Sequence, residues 1–130
     1  MSNITDTLEE KCRAIVHNME KQVSEPVPAT FIRREMALHL DHMDTIRERQ
    51  KVLKAELLER ELEIDTQILN IEERIDLVPD RIERMQLINE LKQVLEQTKL
   101  KTQRSLMETE FALQKLQTRL LQLWNMHDQL

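Results

Sequence analysis

Pro79 is the residue that most constrains how this chain can fold. It separates two runs of roughly fifty residues, and neither run contains glycine or a further proline. A proline inside a helix removes a backbone hydrogen bond and clashes with the preceding turn, at a cost of about 3 kcal/mol. It also disfavours helical dihedral angles at Val78. The sequence therefore predicts a hinge at Pro79, as either the tip of a helical hairpin or a kink in one long helix.

Composition indicates that both runs are helical. The chain has 130 residues, no glycine, no tyrosine and a single tryptophan, and 33% of its residues are charged. This balance is typical of long amphipathic helices and coiled coils. Phosphate-binding loops and tight hairpin turns depend on glycine, so the enzyme classes built on such loops are disfavoured. We predict an all-α fold, an elongated coiled-coil-like helical hairpin that completes a bundle with partner chains.

Charge and cysteine content narrow the cellular setting. The formal net charge is −5, which disfavours nucleic acid and anionic membranes as partners. Cys12 is the single cysteine, so an internal disulfide is excluded. The N-terminus lacks the features of a signal peptide, and no apolar run reaches the roughly 18 residues of a transmembrane helix. We expect a protein of the cytosol or nucleus, without membrane insertion.

A short amphipathic helix is predicted within residues 1–25. Asp6 and Glu9 have the spacing of a capping box, which places the helix start at Asp6 or Thr7. Two prolines within residues 24–28 end the helix. Apolar residues recur at helical spacing between these limits, at Leu8, Cys12, Ile15, Met19 and Val23.

Residues 26–130 are predicted to form the long hairpin. The second helix runs from about Pro28 to Leu77, and the third begins at Asp80 or Arg81. Each helix carries a seam of apolar residues at heptad-like spacing. The second helix has Phe31, Met36, Leu40, Met43, Ile46, Leu53, Leu57, Ile64, Ile68, Ile71, Ile75 and Val78. The third has Ile88, Leu91, Leu95, Thr98 and Thr102, then Leu106, Thr109, Leu113, Leu116, Leu120, Leu123, His127 and Leu130.

The distribution of charge favours the hairpin over the kinked helix. In an antiparallel pair centred on Pro79, residues whose numbers sum to about 158 lie opposite each other. An acidic block at residues 56–65 then lies opposite the lysines at residues 92–101, and the basic residues 47–51 lie opposite Glu108 and Glu110. A parallel homodimer would instead place the acidic block beside its own copy, where like charges repel.

A second set of apolar residues lies outside the seams and predicts an interface with other chains. Two helices packed as a hairpin bury one seam each, so further apolar residues need another partner. We predict that this interface contains Leu58, Leu62, Leu69, Leu87, Val94 and Trp124, which lie outside the seams, together with the seam residues Leu120 and Leu123, which we expect the third helix to share with another chain. The predicted partners are other coiled-coil subunits in a hetero-oligomer, with no cofactor and no small-molecule substrate.

Few residues suggest catalytic or metal chemistry. His39 and His42 lie three residues apart, a spacing that can hold zinc if a third ligand is present, but no partner motif accompanies them. Cys12 lies in an apolar stripe, which favours a packing role over a reactive thiol. We predict that the chain is not an enzyme. A metal-dependent or thiol enzyme built on these three residues is the rival hypothesis.

Two segments resemble a known family. They are Val-Pro-Asp-Arg-Ile-Glu-Arg-Met-Gln-Leu-Ile, residues 78–88, and Leu-Leu-Gln-Leu-Trp-Asn-Met-His-Asp-Gln-Leu, residues 120–130. Together they resemble the C-terminal half of dynactin subunit 3, the small coiled-coil subunit of the dynactin shoulder. The resemblance implies a non-enzymatic subunit that forms helical bundles within a microtubule-motor cofactor. It therefore implies a cytoplasmic, cytoskeleton-associated location, with a nuclear or kinetochore location as the alternative. The chain also resembles the coiled-coil core of the spindle-and-kinetochore-associated complex, in which a short helix, a longer helix and a Val-Pro follow one another in the same order. A kinetochore scaffold subunit or a membrane-tethering subunit are the alternatives.

Overall fold

The computed structural model describes residues 4–18, 27–74 and 78–130, and this part of the chain contains three α-helices and no strand. Helix α1 spans Ile4–His17, α2 spans Val27–Glu73 and α3 spans Arg81–Asp128. The all-α prediction is confirmed. The predicted stripe residues Met19, Val23 and Ile75 lie outside the described residues.

Capping explains where α3 begins. The Ile82 amide donates to Asp80 Oδ1 at 2.9 Å, and the Arg84 amide donates to the Asp80 carbonyl at the same distance. Asp80 is thus the N-cap residue, because its side chain satisfies an amide that has no partner within the helix. The Arg84 guanidinium donates to the carbonyls of Val78 and Pro79 at 3.0 and 2.8 Å. Pro79 therefore lies between α2 and α3, as the predicted hinge requires.

The other helix ends differ from the predictions. Helix α1 already begins at Ile4, so Asp6 lies within the helix and is not its N-cap residue. Helix α2 has Pro28 at its second position, where the missing amide hydrogen costs nothing. It ends at Glu73, four residues before the predicted end at Leu77.

The chain divides into two compact units, and each contains part of α2 and part of α3. Unit 1 comprises Met1–Glu48 with Thr109–Leu130, and unit 2 comprises Arg49–Glu108. This division differs from the predicted one, which set residues 1–25 apart from the hairpin. The reason is that α1 packs within unit 1, where Cys12 is buried and Leu8 and Ile15 are half-buried against the core.

Unit 1 is a three-helix bundle with a continuous apolar core. Burying each large side chain contributes roughly 1.5–3 kcal/mol. The predicted seams supply most of the core, with one correction: Ile32 is buried, whereas the predicted Phe31 is 58% exposed. Leu130, the last predicted seam residue, is also exposed. The buried core residues are Cys12, Ile32, Met36, Leu40, Met43, Leu113, Leu120 and Leu123.

Unit 2 is a helical hairpin in which two helices pack antiparallel. Lys99 Nζ of α3 lies 3.7 Å from Glu61 Oε1 of α2, an ion pair between the two charge blocks that the sequence predicts to face each other. The predicted hairpin is thereby confirmed within this unit. Of its described residues, Leu53 and Ile64 are buried, and the seam residues of α3 in this unit are half-buried. Two helices leave much of each seam in contact with water.

Candidate interaction surfaces

The leucines of the predicted interface in α2 form an exposed line on unit 2. Leu58, Leu62 and Leu69 are 59%, 60% and 52% exposed. They follow one another at steps of four and seven residues, so they lie on one side of the helix. The buried residue Ile64 belongs to the other side, which faces α3. We call Leu58, Leu62 and Leu69 the leucine line.

Carboxylates surround the leucine line. Residues 56–73 include seven acidic side chains and a single basic one, Arg60. Residues three or four positions apart are neighbours on a helix surface, which places Glu59 and Asp65 beside Leu62 and places Glu72 and Glu73 beside Leu69. All four carboxylates are exposed. Within the described part of the chain, none of the four has an ion-pair partner.

A second apolar surface of unit 2 is a groove between the two helices. It has a volume of about 450 Å³, and its apolar lining includes Ile71, Leu87, Leu91 and Val94. Val94 is 40% exposed and Leu87 is half-buried. The structure thus brings the predicted residues Leu87 and Val94 together, in a groove whose lining contains none of Leu58, Leu62 and Leu69.

The predicted interface residues of unit 1 need a correction. Leu120 and Leu123 are fully buried in the core of this chain, because α1 and α2 both pack on this part of α3. They are therefore core residues and offer no surface to another chain. Trp124 packs against the same core but is half-buried. Lys11 Nζ lies 5.7 Å from the centroid of its ring, within the range of a cation–π contact.

Trp124 also lines a groove of about 690 Å³ between α1 and α3. Leu8 and Leu121 supply further apolar lining, and several polar side chains share it. Because one part of Trp124 packs on the core and another borders this groove, its predicted contact with a partner stays a prediction.

A buried carboxylate joins α1 to α2 in unit 1. Glu9, which the sequence assigns to a capping box, instead bonds Arg47, whose Nη1 lies 2.7 Å from Glu9 Oε2 and whose Nη2 bonds Oε1. The Glu9 side chain is 8% exposed, and Arg13 lies 3.9 Å from it. Arg13 also donates to Asp44 at 2.8 and 3.3 Å. This network fixes the register of α1 on α2.

A second polar contact joins the start of α2 to the end of α3 in unit 1. Arg33 Nε donates to His127 Nε2 at 3.1 Å, so His127 accepts with an unprotonated nitrogen. Burial and the neighbouring Arg33 guanidinium lower the pKa of His127, and Asp128 acts in the opposite direction. The neutral imidazole is the form that this contact requires.

Of the three candidates for catalytic or metal chemistry, Cys12 lies in the core, His39 bonds the helix backbone and His42 is exposed. Burial, followed by the nearby Glu9 carboxylate, raises the pKa of the Cys12 thiol to about 11, which disfavours the reactive thiolate. His39 Nδ1 donates to the Glu35 carbonyl at 2.8 Å. Among the described residues, no three His, Cys, Asp or Glu side chains form a group that could hold a metal ion.

The Glu9–Arg47 pair was not predicted from the sequence. The predicted antiparallel alignment of α2 and α3 places Arg47 opposite Glu108 and Glu110, and α1 has no part in that alignment. Glu9 lies next to the buried stripe of α1, and a carboxylate at such a position requires a cation from another helix. This requirement predicts a lysine or arginine partner for Glu9 on another helix.

No described helix has a stretch that is both long and apolar enough to cross a bilayer. The sequence matches no family model, and no curated protein or solved structure is significantly similar to it.

Proposed function

We propose that the chain is a non-enzymatic structural subunit that assembles with other coiled-coil chains into a multi-subunit complex. The observation that carries this proposal is the contrast between the two units. Unit 1 has three helices and a buried core, whereas unit 2 has two helices and buries Leu53 and Ile64. A helix with two apolar faces requires two neighbours, and α2 has one neighbour in unit 2.

The exposed residues are of the kind that stabilises interfaces between helices. Four of the predicted interface residues, Leu58, Leu62, Leu69 and Val94, are 40–60% exposed, and all belong to unit 2. Large exposed apolar surfaces on helices mark interaction sites. A further helix packed on unit 2 would remove these side chains from water, at roughly 25 cal/mol for each Å² of apolar surface covered.

We further propose that this complex is cytoskeletal, of the microtubule motor-associated, dynactin-like type. The support for this part is the resemblance of residues 78–88 and 120–130 to dynactin subunit 3. A kinetochore, spindle or membrane-tethering complex would use the same helical surfaces.

Co-purification of the tagged chain, with identification of its partners by mass spectrometry, tests both parts. We expect coiled-coil subunits to co-purify with the wild-type chain and to be lost with Leu62→Gln and Leu69→Gln combined. The matched control combines Leu38→Gln and Phe111→Gln, since these residues of unit 1 are 63% and 58% exposed. Equal recovery with both double variants would contradict the role of unit 2, and partners without any cytoskeletal component would contradict the second part.

A further inference from the structure

The leucine line has a charge environment that selects among helical partners. Leucines at steps of four and seven residues form one side of a two-stranded helical seam, and residues beside such a seam determine which partner is accepted. Here the carboxylates of Glu59 and Glu73 flank the line, and those of Asp65 and Glu72 occupy seam positions after Leu62 and after Leu69. A partner helix must place its own side chains close to all four.

The four carboxylates differ from their charged neighbours in pairing. In unit 2, Glu61 pairs with Lys99, and Glu63 pairs with Arg60 at 3.0 Å. The carboxylates of Glu59, Asp65, Glu72 and Glu73 are exposed and have no ion-pair partner among the described residues. Acidic or neutral helices that dock on the leucine line would bring like charges together or leave these carboxylates unpaired, whereas lysine or arginine would pair with them.

We propose that the leucine line binds a basic amphipathic helix, with apolar residues at heptad spacing and lysine or arginine beside them. This inference rests on the proposed function and specifies the chemistry of the partner. The apolar contact supplies most of the affinity, and the charges determine which helices are accepted and how fast they associate. The same surface on a second copy of the chain carries the same acidic charge over residues 56–73, which opposes a parallel pairing of copies.

Two synthetic peptides of four heptads test the proposal with the full-length chain. Both have leucine at the seam positions, and the flanking positions are lysine in one and glutamate in the other. We expect the lysine peptide to bind and the glutamate peptide to bind at least tenfold more weakly in fluorescence anisotropy. Affinity for the lysine peptide should fall as salt is raised from 50 to 300 mM, because exposed ion pairs are screened.

Variants that neutralise carboxylates show which residues of the chain bind the lysine peptide. The test variant combines Glu59→Gln, Asp65→Asn, Glu72→Gln and Glu73→Gln. The matched control removes the same charge from exposed residues of α3 in unit 2, by Glu83→Gln, Glu90→Gln, Glu96→Gln and Glu108→Gln. We expect the test variant to weaken binding of the lysine peptide about tenfold and the control to change it less than twofold. Circular dichroism checks that both variants remain helical.

Three results would overturn the inference. The first is equal binding of the two peptides, which would show that apolar contact alone selects the partner. The second is equal weakening by the test and control variants, which would indicate a general effect of net charge. The third is a dimer of the chain that Leu62→Gln and Leu69→Gln dissociate, since a second copy would then occupy the leucine line.

Co-purification of partners with these variants distinguishes this inference from the proposed function. If the leucine variants lose the partners and the neutralised test variant retains them fully, assembly through unit 2 stands and the basic partner is wrong. If neither variant loses any partner, both proposals are wrong.

Discussion

The Glu9–Arg47 pair provides the sharpest test of what holds unit 1 together. Arg47→Met removes both hydrogen bonds to a carboxylate that is 8% exposed, and Arg13 remains 3.9 Å away. Breaking a buried ion pair by removing one partner typically costs about 3–5 kcal/mol. Arg47 itself is 34% exposed and Arg13 partly compensates, so we expect about 2 kcal/mol.

The two partners should not be equivalent. Glu9→Gln leaves Arg47 with access to water, so its guanidinium can be hydrated, and we expect a cost of about 1 kcal/mol or less. In Arg47→Met the buried Glu9 carboxylate cannot be hydrated in this way, so the loss of stability should be larger. In the double variant, the loss should be smaller than the sum of the two single losses, because both changes remove one interaction.

Trp124 provides the assay, since it is the only tryptophan and it packs against the core of unit 1. Its fluorescence during urea unfolding reports on this unit. With a slope of about 1.5 kcal/mol per M, Arg47→Met should lower the midpoint by about 1–1.5 M. Asp44→Asn is the matched control, because it removes an exposed partner of Arg13 in the same network and should change stability by about 0–0.5 kcal/mol.

Two results would refute this reasoning. One is a loss for Arg47→Met no larger than that for Asp44→Asn, which would mean that the burial of Glu9 has no energetic consequence. The other is a larger loss for Glu9→Gln than for Arg47→Met, which would reverse the predicted asymmetry.

Three further predictions concern the hairpin of unit 2 and two titratable groups of unit 1, Cys12 and His127. Cysteines introduced as Glu61→Cys and Lys99→Cys should be joined within one chain by a short bismaleimide, and exclusively intermolecular products in gel electrophoresis would contradict the hairpin. Because burial raises the pKa of Cys12 from 9.0 to about 11, its contribution to the free energy of unfolding should be complete below pH 9 and fall as the pH rises toward 11. Cys12→Ser should reduce this fall in urea titrations. An unchanged pH profile in the variant would contradict this role of Cys12. Because the pKa of His127 is lowered from 6.5, its contribution to stability should be complete above pH 6.5 and be lost on acidification, as the imidazolium forms beside Arg33. His127→Gln should reduce the difference between the melting temperatures at pH 7.5 and 5.5. An undiminished difference would exclude His127 as its cause.

The sequence alone determined the helices and the hairpin. The prolines within residues 24–28 and at 79 divide a chain without glycine into one short and two long helices, and heptad spacing identifies the buried side of each long helix. These are local signals, readable from neighbouring residues. The same pattern identified Leu58, Leu62 and Leu69 as apolar residues outside the hairpin seam, and the structure shows all three exposed.

Only the tertiary structure decided which apolar residues are covered by this chain itself. Heptad spacing made Leu120 and Leu123 as eligible for a partner as Leu62, but α1 packs on the part of α3 that contains them and buries both completely. The partner of Glu9 was likewise undetermined, because Arg47 is distant in sequence and is brought near by that packing. The periodicity of a helix specifies which side is apolar, whereas the packing of separate helices determines what covers that side.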